Sequence, residues 1–398
     1  MKILYFHQHF STPNGSTGTR SYEFSKALIR AGHEVTVICG SYWIADSGLS
    51  SNFINGKRIG IVEGIRVIEL ELPYSNSDGL LKRTLLFLKY SFSGIQIALK
   101  SDYDLLFSTS TPLTAGIPGI IAKYLRNKPF VFEVRDLWPE LPRAMGVISN
   151  PFVLTLLSML ETISYKSADR CVALAPGIAE GIKKKYRDKE VIVIPNGSDE
   201  LNPSIKNIKK VTANFVAVFT GAHGRANGLG AVLDVAALLL AYGQKNIEIQ
   251  LIGDGGLKQS LIKRAQSDAL TNIKFIDPMP KVDLFKYLAE NANVGLMILD
   301  NIPEFYRGTS PNKFFDYIAL GLPVLNNYPG WIAEIIRSEN CGAVVAPGSA
   351  EEFAQTLLYF RDNPEILEVM STSSKRLSIT QFNRKNLSNM FVSFLEIR

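Results

Sequence analysis

Residues 2–40 read KILYFHQHFSTPNGSTGTRSYEFSKALIRAGHEVTVICG and hold three elements in a fixed order. Ile3 to Phe6 reads as a short strand. Tyr22 to Ala31 has helical spacing, with Phe24, Ala27, Leu28 and Ala31 on one face. Gly32 stops that helix, and Val35 to Ile38 is the next strand. Strand, helix, strand at this spacing predicts a parallel pair joined by a crossover helix, the unit of a doubly wound α/β sheet.

The same rhythm runs outward from there. Leu105 to Phe107 and Phe130 to Val134 are strands, with a helix between them from about Ala115 to Tyr124. Arg170 to Leu174 and Val191 to Ile194 complete the first half. The pattern then restarts: strand Phe215 to Phe219, helix Leu229 to Tyr242, and strand Ile247 to Ile252, which ends at Gly253-Asp254-Gly255-Gly256. Ile273 to Phe275, Val294 to Ile298 and Val324 to Leu325 follow. Pro195 to Asp199 is rich in turn formers and leads into a Lys- and Asn-rich stretch to about Asn214, which reads as the linker.

With 398 residues, of which 46% are hydrophobic, the chain exceeds one ordinary core. The expected architecture is α/β, two doubly wound Rossmann-like domains facing across a cleft. Residues 1–200 form the first, 201–375 the second, and 376–398 a C-terminal helix packing back on the first. Open α/β sheets bind ligands beyond the carboxyl ends of their strands, so chemistry is expected in the loops after strands.

Composition narrows the partners. The net charge of +6 favours an anionic partner: a nucleotide diphosphate, a phospholipid surface or a nucleic acid. The basic residues are scattered rather than striped with aromatics, so nucleic acid ranks last. Cys39, Cys171 and Cys341 show no metal spacing and no disulfide ladder, which fits a reducing cytosol. The opening MKILYFHQHF reads as a strand, not a signal peptide. Leu80 to Leu99 is the most apolar stretch, but Lys82, Arg83 and Lys89 interrupt it. A cytoplasmic location is expected.

Four loops carry candidate chemistry. His9 to Arg20 joins strand to helix through Gly15 and Gly18; glycines and a helix N-terminus suit a phosphate, though an ordinary βα loop reads the same way. Phe132 to Glu140 ends a strand with Arg135 and Asp136 at its tip. Arg135 suits a phosphate and Asp136 a sugar hydroxyl; the alternative is a structural ion pair closing the sheet edge. Phe219 to Leu229 contains Gly221 and Arg225, a natural diphosphate ligand or else an exposed surface residue. Glu304 to Val324 is the most informative. Ser310 reads as N-cap and Pro311 as first-turn residue of a helix over Asn312 to Leu320 that stops at Gly321. Lys313 and Asp316 share a face of it, one cation for phosphate and one carboxylate for ribose hydroxyls, or else a surface salt bridge.

No G-x-S-x-G or H-E-x-x-H pattern is present, no D-x-D pair reads as one that would hold a metal against a diphosphate, and the four histidines are dispersed, so no bound metal or cofactor is expected.

Taken in order, these motifs resemble the retaining group 1 glycosyltransferases. Ser310 to Val324 resembles their donor-binding helix. Pro195-Asn196-Gly197, Ile252-Gly253-Asp254-Gly255 and the segment 219–240 are similar too, as are the opening strand with its glycine loop and Leu28 to Val37. The resemblance covers essentially the whole chain and implies the GT-B fold and a hexosyltransferase-type enzyme. It implies that Lys313 and Arg225 hold a diphosphate, and that Ser310 and its neighbouring amides, Asn312 among them, help from the helix N-terminus. Asp316 stands where the family usually has a ribose-binding glutamate, and Gly18, Gly221 and Gly253 stand near the donor. Arg135 and Asp136 would complete the catalytic set.

Val134 to Glu140 and Tyr306 to Lys313 further resemble a bacterial surface-polysaccharide subgroup that includes N-acetyl-fucosamine transferases. That likeness implies a UDP-sugar donor, a polyprenyl-diphosphate-linked acceptor for O-antigen or capsule synthesis, and peripheral contact with the cytoplasmic membrane face. Two positions depart from the family. Gly308 stands where a sugar-binding glutamate is common, and Arg135 where a histidine often stands. A GT-B nucleotide-sugar epimerase and a catalytically silent partner subunit remain alternatives. Residues 80–100 read equally as a lipid-facing helix or a core-facing one with solvated lysines.

Overall fold

The computed structural model describes residues 1–75, 78–201 and 214–396. The chain divides into two compact units. The first comprises Met1–Pro195, Arg307–Thr309 and Lys385–Arg398; the second comprises Asn196–Tyr306 and Ser310–Arg384.

In the first unit, eight strands lie in the order β3-β4-β2-β1-β5-β6-β7-β8. They are β1 (Lys2–Phe6), β2 (Glu34–Tyr42), β3 (Lys57–Val62), β4 (Ile65–Tyr74), β5 (Leu105–Thr109), β6 (Phe130–Val134), β7 (Arg170–Ala173) and β8 (Val191–Val193). All neighbours pair in parallel except β3 with β4, a hairpin turning at Glu63 and Gly64, both with positive φ. The opening stretch behaves as read: β1 lies beside β2 with Ile3 opposite Val35. Helix α1 (Arg20–Arg30) joins them and ends where Gly32 takes φ 84°.

The helices form two layers, because alternate residues of a buried strand face opposite sides. Phe107 meets Phe391 of helix α15 (Arg384–Glu396), and Phe391 stacks on Phe24 of α1 at 4.2 Å between ring centroids. On the other side, Ser108 donates to the Ala115 carbonyl. There α3 (Ile117–Arg126) lies between α2 (Leu80–Lys100) and α5 (Pro151–Ser167). Short α4 (Glu140–Ala144) and α6 (Pro176–Lys185) complete the unit. Asn150 caps α5, accepting from the Phe152 and Val153 amides with Pro151 at the first helical position.

The second unit has six parallel strands in the order β11-β10-β9-β12-β13-β14. These are β9 (Phe215–Thr220), β10 (Ile247–Ile252), β11 (Ile273–Ile276), β12 (Val294–Met297), β13 (Val324–Asn326) and β14 (Gly342–Val344). Its helices are α7 (Gly230–Ala241), α8 (Lys258–Ser267), α9 (Lys281–Asn291), α10 (Pro303–Gly308), α11 (Asn312–Leu320), α12 (Trp331–Ser338), α13 (Ala350–Asp362) and α14 (Pro364–Thr380). Apolar residues of β9, β10 and β12 form one core with Val232, Leu233 and Leu239 of α7.

Three boundaries differ from the reading. The first unit ends at Pro195, not at 200, because Asn196 and Ser198 are buried and bonded within the second. The chain returns to the first unit at Lys385 rather than 376, since α14 runs on to Thr380 against α11. The linker does not begin at Pro195: Pro195 to Asp199 is packed structure, and the rest of the stretch read as linker, 202–213, lies outside the described residues. All three cysteines are buried and unpaired.

Candidate functional site

The second unit builds its candidate site at the carboxyl ends of β9 and β10. Gly221 (φ 138°) and Gly253 (φ 146°) follow those strands, and the Gly221 amide donates to Ile252 O at 2.9 Å. A Cβ on Gly253 would overlap the Gly221 carbonyl. Only glycine accommodates both the backbone conformation and the close approach.

Lys313 in the first turn of α11 reaches over this pair. Its Nζ lies 4.1 Å from the Phe219 ring centroid and 3.3 Å from Asn227 Oδ1. No carboxylate among the described residues pairs with it. Burial alone lowers its pKa to about 7. The side chain is half-buried, so the shift reflects apolar surroundings at the ammonium, and an anion beside it would restore the charge. A half-buried cation without a counterion, beside glycine amides and a helix N-terminus, is an anion site. Arg225 stands exposed on a 3-10 turn, Arg225–Asn227, also with no acidic partner among the described residues. Asn227 steadies that turn by donating to Ala222 O at 2.7 Å. Asn227 lies in the segment Phe219 to Leu229, in which the sequence pattern singles out only Gly221 and Arg225.

Helix α11 starts and stops where expected, with Gly321 at φ 68°. Its cap differs: Pro311, not Ser310, occupies the N-cap position. Ser310 is committed elsewhere, because its Oγ accepts from the Asn196 amide (3.2 Å) and its carbonyl from Asn196 Nδ2 (2.7 Å). Ser198 Oγ donates to Phe315 O at 2.9 Å. The Pro-Asn-Gly turn therefore clamps the entry to α11, a role its turn-forming residues alone do not announce. Asn312 opens the helix, half-buried.

Asp316 does not pair with Lys313. Its Oδ1 lies 3.0 Å from Lys281 Nζ, and Lys281 also binds Asp199, which binds Arg384. Burial raises the Asp316 carboxyl's pKa, opposed by Lys281. Asp199 is lowered to about 2: burial works against it, but Lys281 and Arg384 outweigh that. Lys313 and Asp316 thus sit one turn apart in different surroundings, an anion site and a buried ion network.

Gly18, Arg135 and Asp136 belong to the first unit. Gly18 is half-buried two residues ahead of α1. At the tip of β6, the Arg135 amide donates to Ser110 Oγ (2.8 Å) and its guanidinium meets His7 Nε2 at 3.3 Å. Burial, then Arg135, holds His7 well below its ordinary pKa, so the ring is neutral. Accepting at Nε2 leaves the proton on Nδ1, which faces Ser21 Oγ at 2.5 Å. Asp136 accepts from Thr111 Oγ1 at 3.2 Å, and burial raises its pKa.

The buried ion pair of this region is a different one. Arg20 pairs with Glu133 at 2.8 Å and donates to the carbonyls of Ile194 and Pro195, both at 2.7 Å. With every donor group engaged, Arg20 holds the sheet edge together. Neither residue was singled out from the sequence, since they lie 113 positions apart.

Gly308 ends α10, and a Cβ there would meet only the Ile178 side chain, at 3.4 Å or more. The missing glutamate is therefore not imposed by crowding at the Cβ. Among the described residues, no three His, Cys, Asp or Glu side chains gather as a metal set.

Two sheets of this topology, with a cation and glycine loops at strand ends in the second unit, are those of the GT-B fold. Residues 15–197 match the glycosyl transferase 4-like domain, and residues 214–363 match glycosyl transferases group 1. Together these span most of the chain, which belongs to the group 1 glycosyltransferases and is a hexosyltransferase-type enzyme. No curated protein sequence matches significantly. Solved structures share the fold over the full length. Sucrose-phosphate synthase from Thermosynechococcus elongatus superposes with TM-score 0.73 at 15% identity, covering 99% of this chain and 98% of its own. HepE from Anabaena, in complex with UDP-glucose, gives 0.68 at 15% identity and 99% coverage of both. WaaG, a glycosyltransferase involved in lipopolysaccharide biosynthesis, gives the same values.

Proposed function

We propose that this glycosyltransferase takes a sugar from a UDP-sugar and passes it, with retention, to a polyprenyl-diphosphate-linked acceptor in bacterial surface-polysaccharide synthesis. The observation carrying the donor half is Lys313: a half-buried ammonium with no acidic partner, facing glycine backbone at the head of α11. The HepE complex supports UDP as the nucleotide, and WaaG supports the surface-polysaccharide setting.

In this reading Lys313 and Arg225 neutralise the diphosphate as it leaves, and the α11 dipole adds to them. Asn196 and Asn227 hold these groups in place. Charge neutralisation by residues fixed before the reaction is what a departing diphosphate needs, so no resident metal or cofactor is proposed. Arg135, oriented by His7, and Asp136 serve the first unit's side of the reaction. Asp136, with its raised pKa, suits a hydrogen bond to a sugar hydroxyl. Gly308 and Arg135 replace groups that read a common hexose, which supports an N-acetylated 6-deoxy amino sugar such as N-acetyl-fucosamine.

The test is UDP release from a panel of UDP-sugars, without metal, with and without a membrane-lipid acceptor extract. Acceptor-dependent release from an amino sugar is expected. Tight use of UDP-glucose alone would overturn the donor assignment. Nucleotide binding without acceptor-dependent release would overturn transfer itself.

A further inference from the structure

The layer of helices α2, α3 and α5 carries an outer surface that nothing in the transfer reaction uses. On α2, Leu86, Tyr90, Gly94 and Ala98 face the protein, and Leu81, Leu85, Leu88 and Phe92 face outward. On α5, Phe152, Leu156, Met159 and Ile163 do the same. Both outward sets follow i, i+4, i+7, i+11, one stripe along each helix. Exposure is heavy: Leu81 is 75% exposed, Phe92 64%, Phe152 71% and Met159 55%. Large side chains scattered singly on a surface are ordinary; two aligned rows on helices that flank the same α3 are not.

The exposed charges carried by these helices themselves have one sign, although Lys82 and Lys123 pair with Asp78 and Asp169 just outside them. Helices α2, α3 and α5 contain seven lysines and arginines, and their only acid is Glu161. That carboxylate is buried, bonded to Lys185 and to the Tyr165 hydroxyl. Lys89, Lys100 and Lys166 are exposed and have no carboxylate partner among the described residues. A second copy of this face would bring like charges together. An anionic lipid surface meets both features, taking the apolar rows into its outer acyl region and the lysines at its headgroups. No described helix is long and apolar enough to cross a membrane, which leaves a helix pair lying in the interface.

We infer that the α2/α5 face of the first unit is a docking surface for an anionic phospholipid bilayer, with α5 as necessary as α2. The inference does not rest on the proposed acceptor, and its test needs neither donor nor acceptor. The full chain is sedimented with vesicles of phosphatidylcholine alone and of phosphatidylcholine with phosphatidylglycerol, at low and high salt. Binding is expected only with phosphatidylglycerol and is expected to weaken with salt. The exposed double variants Leu85→Glu/Phe92→Glu and Phe152→Glu/Met159→Glu are each expected to cut partitioning by about tenfold or more, with an unchanged thermal response to UDP as the control for folding. Absence of binding to anionic vesicles at low salt overturns the inference, as does undiminished binding of the α5 variant. Lipid-free dimerisation abolished by these same substitutions would assign the face to a second copy and overturn it too.

Discussion

Replacing Lys313 should have opposite effects on the free protein and on nucleotide binding. In the free protein its ammonium lies over Phe219 with no counterion among the described residues and a pKa lowered to about 7. A lysine lowered in the folded state is a stability cost below that pH, where both states are charged. From about pH 7 up to the ordinary lysine range, only the unfolded chain keeps the proton, so stability rises with pH. Lys313→Met removes that cost, and its melting temperature without nucleotide should equal or exceed that of the parent. With a diphosphate bound, the sign reverses. Unit charges about 4 Å apart at an effective dielectric of about 20 attract by about 4 kcal/mol, and the fold has already met part of the desolvation. Losing about 3–4 kcal/mol corresponds to roughly 10²–10³ in turnover. The anion also raises the Lys313 pKa, so binding takes up a proton above pH 7 and UDP affinity falls as pH rises from there. Lys313→Arg should bind with a flatter profile. Calorimetric titration of UDP across pH, in buffers of different ionisation enthalpy, reads affinity and proton uptake together. Parent-like UDP affinity in Lys313→Ala would falsify the anion-site assignment; pH-independent affinity in the parent would refute the lowered pKa.

Other consequences follow from the same geometry. Arg20→Met should lower stability by about 3–5 kcal/mol in urea denaturation, because Glu133 is left as an unpaired buried charge. Asp199 is lowered to about 2, so its contribution is complete above the ordinary carboxyl range and is lost as pH falls from about 4 to about 2. Asp199→Asn should lack that step in an acid-unfolding curve, although Asp316, raised by burial, partly offsets it in the parent. Asn196→Ala should leave the fold in place and weaken turnover, since it removes the Nδ2 bond to the Ser310 carbonyl and leaves the entry to α11 held only by the backbone amide on Ser310 Oγ; parent-like kcat/KM would remove the clamp from the mechanism. Gly295→Ala would push a methyl into the Tyr317 ring, whose hydroxyl holds the Thr220 amide. A loss of about 1–3 kcal/mol in stability is expected, with weakened UDP binding at the adjoining Gly221.

What the sequence by itself determined here is what local patterning carries. Apolar runs separated by helical periods placed most of the sheet strands, and Gly32 and Gly321 marked helix ends, because each signal lies within a dozen residues. The hairpin β3–β4 and helix α5 went unread, although Glu63-Gly64 and Asn150-Pro151 were available as turn and start signals. The resemblance placed Lys313 and the glycine loops, because those motifs are contiguous. Tertiary structure decided the partners. It joined Arg20 to Glu133, committed Ser310 to Asn196, and moved Asp316 into a network with Lys281, Asp199 and Arg384. It also turned one row of apolar residues outward on each of α2 and α5, although helical spacing alone reads either row as core. Ion pairs and burial depend on which distant segments meet, and no local period carries that information.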